Sequence, residues 1–84
     1  MDAAPDISLL EAIARRRDES AFDALLERHQ VAAFGLAHSM LGSKDAAEEV
    51  VQEAMLKIWR AADTFQAREG ATVRSWILRV VARE

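Results

Sequence analysis

Two sets of side chains in this 84-residue chain have the types and spacing for recognition chemistry. The first is Glu48, Glu49, Gln52 and Glu53. On a helix, Glu49 and Gln52 are i,i+3 neighbours and Glu49 and Glu53 are i,i+4 neighbours, so they form a polar, mostly acidic stripe. Like charges at that spacing repel mildly, and the stripe holds more acid than solubility requires. A cationic partner would relieve the repulsion, so the stripe reads as a docking surface. A solvated helix face, with acids placed to suit the helix dipole, is the plainer reading. The second set is basic. No acid occurs from Gly70 to Arg83, while Arg74, Arg79 and Arg83 fall there, with Trp76 among them and Phe65 nearby. Cations for phosphates and planar surfaces for unstacked bases are the parts that single-strand recognition uses. Packing in a small core is the alternative for these aromatics, and the one expected of Trp59 and Phe65.

Catalysis is poorly served by what remains. His29 and His38 lie about two and a half turns apart on one helical stretch and point to opposite faces, so they cannot share a metal. His29 falls near an apolar stripe and is expected to be partly buried. No serine has a sequence-supported base, cysteine is absent, and no glycine-rich phosphate loop occurs. The sequence therefore predicts neither an enzyme nor a cofactor.

The length allows one domain with a modest core. Without cysteine there is no disulfide, which permits a reducing, cytoplasmic setting. No apolar run reaches the ~18 residues of a membrane span. The N-terminus, M-D-A-A-P-D, lacks the apolar centre of a secretory signal. The formal net charge of -3 argues against nucleic-acid binding as a total, but its distribution is uneven. Residues 1–42 carry -3, residues 43–62 carry -1 and residues 63–84 carry +1. The C-terminal segment is a basic element on an acidic domain, and phosphates respond to the local field.

The elements that must position these groups are helices, because one proline, three glycines and few β-branched runs leave little else. A first helix is expected from about Ser8 to Arg16, opened by a Ser8–Glu11 capping box. A second runs from about Ser20 to Leu41. Phe22, Leu25, Leu26, Ala33, Leu36, Ala37, Met40 and Leu41 give it a core stripe, which Val31 and Phe34 widen. Gly42 ends it, and Gly35 inside it marks close packing or a bend. The third, opened by an Asp45–Glu48 capping box, runs to Trp59 and beyond, with Val50, Val51, Ala54 and Ile58 buried. Ala62–Gly70 reads as a turn or short irregular helix. The fourth starts near Thr72, with Val73, Trp76, Ile77, Val80 and Val81 on one side. The expected fold is all-α: a compact bundle of three principal helices plus a short N-terminal helix. Residues 1–19 form an N-terminal segment and residues 20–84 the domain proper.

With those elements in place, A-E-E-V-V-Q-E-A-M-L-K-I-W at 47–59 resembles the region 2.2 signature of extracytoplasmic-function sigma factors of bacterial RNA polymerase. F-D-A-L-L-E-R-H at 22–29 looks like the start of the preceding helix of that family, and Phe34 to Gly42 like its end. F-Q-A-R-E-G-A-T-V-R-S-W-I-L-R-V at 65–80 is similar to the segment that follows. The resemblance covers residues 20 to 83, in order. It implies a sigma-2 domain whose Glu49, Gln52 and Glu53 dock on the clamp helices of the RNA polymerase β′ subunit. It further implies that the segment Asp63 to Arg83 recognises and melts the −10 promoter element, with a base of the non-template strand flipped into a pocket. Arg74, Arg79 and Arg83 would then hold the DNA backbone, the stretch Arg68 to Thr72 would shape the pocket, and Ser75 is a further DNA-binding position. An anti-sigma factor is the third partner implied, and the setting is cytoplasmic without membrane insertion. Met55 replaces a usual phenylalanine, Val81 a usual alanine, and Arg83 a usual base-reading asparagine. No counterpart of the family's −35-binding domain follows in this sequence, so the chain reads as an isolated domain or a piece of a longer protein, and on its own it is expected to bind promoter DNA weakly. A helical protein-interaction module with an acidic face and no DNA binding is the alternative.

Overall fold

Residues 4–66 and 71–84 are described by the computed structural model of the chain. Among them the elements are α1 (Asp6–Arg16), α2 (Glu19–Leu41), α3 (Lys44–Ala61), a 3-10 turn (Ala62–Thr64) and α4 (Val73–Ala82), with no strand. The all-α expectation holds.

Helix starts depart from the sequence expectation in an instructive way. The Ser8–Glu11 capping box does not form. Pro5 takes the N-cap position, and its carbonyl accepts the Ser8 N–H at 3.0 Å. That releases the Asp6 carboxylate to reach α2, where it meets Arg28 Nη1 at 3.0 Å and His29 Nε2 at 2.7 Å. Asp18 caps α2 by accepting the Ala21 N–H at 3.1 Å. For α3 the cap is Ser43, whose hydroxyl accepts the Ala46 N–H at 3.2 Å. The Asp45–Glu48 box is thus displaced by one turn-initiating serine, and Asp45 serves in the first turn, where a negative charge suits the dipole. Gly42 ends α2 as expected. Its φ of 72° is left-handed, and its N–H closes onto the His38 carbonyl at 2.8 Å.

Two buried clusters hold the helices together. In the first, Leu9, Leu10 and Ile13 of α1 meet Ala21 and Leu25 of α2, Ile58 of α3, Ala62, and Val73 and Ile77 of α4. The second is built from Ala33 and Ala37 of α2, Ala47 and Ala54 of α3, and Val81 of α4. The first half of α2 therefore lies against the end of α3, so the two run antiparallel, and α4 packs across both. At the second cluster four alanines let backbones approach closely. At the first, larger side chains leave room that α1 fills.

The core stripe is narrower than periodicity suggests. Ala54 and Ile58 are buried, while Val50 and Val51 are only half-buried and Ala47, absent from the expected set, is fully buried. Met40 and Leu41 are exposed at the end of α2, beyond the last turn that α3 and α4 cover. Val31 does not widen the core; it is 80% exposed. Gly35 marks no close packing either, since a Cβ there would have nothing within 4 Å. His29 is more deeply buried than expected, and His38 is exposed.

Candidate functional site

The acidic stripe sits where the helical spacing places it. Glu49, Gln52 and Glu53 are all exposed on α3, because Ala47, Ala54 and Ile58 claim the core-facing side. Their side chains have no hydrogen bond or ion pair among the described residues. Leu56, four residues beyond Gln52 and three beyond Glu53, stands half-exposed between them. Gln52 also forms the edge of a trough between α2 and α3. One end of this trough holds Val31, Phe34 and Val51, and the other Phe22, Leu26, Met55 and Leu56. The result is an apolar channel with Glu48, Gln30 and Gln52 on its rim. Sequence reasoning missed Leu56 and assigned Val31 to the core. An apolar residue off the buried register, one turn from the glutamine of a polar stripe, was the available signal.

At the far end of the channel, Trp59 meets Phe22 edge-on at 5.0 Å. Arg17 also meets this ring, with the guanidinium 5.4 Å from its centre and Nη1 donating to the Trp59 carbonyl. Trp59 is therefore the half-buried packing residue that the sequence predicts.

The basic segment gathers some of the residues assigned to it and separates others. A groove of about 530 Å³ lies between Thr64–Gln66 and the exposed side of α4. Arg79 and Arg83, i,i+4 neighbours, line it together with Thr72, Ser75, Phe65 and Trp76. Phe65 and Trp76 touch edge to face, 5.6 Å apart at 62°. Arg74 is exposed but does not line the groove. Arg68 lies outside the described residues. Thr72 and Ser75 hold the start of α4 by reciprocal capping: Thr72 Oγ1 accepts the Ser75 N–H at 3.0 Å, and Ser75 Oγ accepts the Thr72 N–H at 3.2 Å. Serine here fills the role usually taken by glutamate or glutamine, which is why the capping box escapes a sequence reading.

Charge in the groove is less compensated than the composition implies. Glu84, the acid next to Arg83, turns away to meet Lys57 Nζ of α3 at 2.6 Å. Among the described residues Arg79 and Arg83 have no ion pair. Elsewhere, burial works to raise the pKa of Asp6, but hydrogen bonds and charge from Arg28 and His29 outweigh it and hold the carboxyl below its ordinary 3.8. Asp18 is likewise held below 3.8, chiefly by the Ala21 N–H it caps. Among the described residues no group of three or more His, Asp or Glu is placed to hold a metal ion, and no helix is long and apolar enough to cross a membrane.

Residues 25–84 match the family described as Sigma-70 region 2. Among curated proteins, the chain is 28% identical over 78 residues to the ECF RNA polymerase sigma factor SigK of Mycobacterium sp. (strain KMS), and equally to that of strain JLS. The similarity covers 93% of this chain and 40% of each relative, so the chain spans less than half their length. No solved structure gives a significant match.

Proposed function

This chain belongs to the sigma-70 region 2 family, and on that premise we propose that it acts in transcription initiation as the sigma-2 domain of an extracytoplasmic-function sigma factor. It docks on the β′ clamp helices of RNA polymerase through Glu49, Gln52 and Glu53, and binds the non-template strand of the −10 element at the α4 groove. The observation that carries this reading is the groove itself. It sets two arginines, which have no ion pair among the described residues, beside an aromatic pair, which is the chemistry a phosphate and an unstacked base require. The docking half rests on the unpartnered polar stripe and on half-exposed Leu56, which adds an apolar contact to a surface otherwise read as polar. Thr72 and Ser75 act by shaping the groove wall, because their hydroxyls are engaged in the cap. The domain itself performs no chemistry, works in the cytoplasm and is masked by an anti-sigma factor until needed.

A second reading, a protein-interaction module without DNA binding, draws support from the apolar α2–α3 trough, which could seat a helix of any basic partner. Charge reversal at Arg79 separates the two: it impairs promoter opening under the first and leaves function intact under the second. For the docking surface, Gln52→Ala with Glu53→Ala should weaken binding to a β′ clamp-helix fragment about tenfold, since each removes an interfacial polar contact. Helical content should not change. Undiminished binding would remove the polymerase assignment from this stripe.

A further inference from the structure

Lys57 has one acidic neighbour within a turn of α3. That neighbour is Glu53, and a glutamate four residues N-terminal to a lysine is the favoured order for an ion pair along a helix. The pair does not form. Lys57 Nζ crosses instead to Glu84, just beyond α4, at 2.6 Å. Val81 of α4 enters the same buried cluster as Ala54 of α3, which brings the end of α4 beside this turn. The Glu84 side chain is only 10% exposed there. A covered carboxylate without a counter-charge is costly, whereas exposed Glu53 is solvated and gains little from a partner. Lys57 therefore goes to the acid that needs it more, and Glu53 has no ion pair among the described residues.

We infer that Glu84 is a positioning residue for the docking surface: it withdraws Lys57 from Glu53 and leaves the stripe's full negative charge to a cationic partner. The inference rests on the docking reading proposed above and adds to it a residue from outside α3. Without the Glu84 carboxylate, the nearest acid to Lys57 along its own helix is Glu53. Pairing there neutralises one acid of the stripe and relieves its repulsion with Glu49 from within, so a partner's cations have less to gain. It also sets an ammonium group on the surface that a cationic helix must approach. Charges at the rim of an interface act mainly on the rate of association, so that is where the effect of Glu84 falls.

The test uses the 84-residue chain with a Gly-Ser tail, so that the terminal carboxylate cannot stand in for that of Glu84. Its association with a fluorescein-labelled β′ clamp-helix fragment is followed by stopped-flow anisotropy at low salt. Glu84→Gln should slow association about twofold, the size of an i,i+4 glutamate–lysine pair. Adding Lys57→Gln to that variant should restore the wild-type rate, and in a Glu53→Gln background Glu84→Gln should have no effect. Glu11→Gln on α1, with the same change in net charge, should leave the rate unchanged. Three outcomes overturn the inference: Glu84→Gln without effect, a double variant as slow as Glu84→Gln, as a purely structural tie would give, or Glu11→Gln as slow as Glu84→Gln, as net charge alone would give. If Glu53→Gln by itself still slows association in those cases, the docking reading survives. If Glu53→Gln leaves association unchanged, the docking reading falls and the inference with it.

Discussion

Arg17 has a positive φ of 50°, a conformation that costs a side-chain-bearing residue about 1–2 kcal/mol. It sits where α1 stops, and its N–H closes onto the Ile13 carbonyl, a position that favours glycine. The strain is offset by the contacts of its guanidinium with the ring and carbonyl of Trp59. Arg17→Ala keeps the strain and loses the contacts, and should destabilise the domain by about 1–2 kcal/mol. Arg17→Gly loses the same contacts but relieves the backbone, so in urea titrations it should be more stable than Arg17→Ala by about 1 kcal/mol. The opposite order would mean that the left-handed turn carries no strain. At this scale the sequence was partly legible. Spacing alone located Glu49, Gln52 and Glu53 on an exposed face. It could not show that Thr72 and Ser75 cap each other or that Glu84 reaches Lys57, because such pairings depend on where helix ends come to rest.

Among the elements, α1 departs most from its sequence signal. Helical periodicity found it, but the supposed capping serine hid its true start and its tie to α2. Leu9, Leu10 and Ile13 enter the same cluster as Leu25, Ile58 and Ile77, although the family match begins only at residue 25. Asp6 pins the other side of this helix to Arg28 and His29. Because the folded-state pKa of Asp6 lies below 3.8, its carboxylate contributes stability that is fully present above the unfolded value of about 3.9. That contribution is lost as pH falls through the lower, folded value. Thermal unfolding followed by circular dichroism from pH 7 down to pH 2 should therefore show wild type more stable than Asp6→Asn at neutral pH. The gap should close below about pH 4. A gap that stays constant would indicate that the bond matters but not its charge. Gly42 was legible as a stop because only glycine takes its φ cheaply, whereas the exposure of Met40 and Leu41 depends on how far neighbouring helices extend.

At the scale of the molecule, the trough between α2 and α3 and the groove along α4 share no lining residue among the described residues. Two such surfaces should respond independently to substitution. Gln52→Ala with Glu53→Ala should leave single-strand binding unchanged, and Arg79→Gln should leave clamp-helix binding unchanged. In the combined variant, measured by titration calorimetry against each ligand, the losses should add to within about 0.5 kcal/mol. A larger discrepancy would reveal coupling through the core. The fold class was legible from composition and periodicity, but the trough was not, because it exists only where two helices meet at a given separation. That separation is set by Ala33, Ala37, Ala47 and Ala54, and their smallness has a further consequence for what the chain can tolerate as it varies. Where Leu10, Ile13 and Ile58 fill the opposite cluster, harm comes by subtraction, at about 2–5 kcal/mol for truncation to alanine. Along the alanine seam there is almost nothing to subtract, and harm comes by addition, as one extra methyl or more pries the helices apart at about 1–3 kcal/mol. Substitution is thus penalised in opposite directions at the two ends of the same bundle.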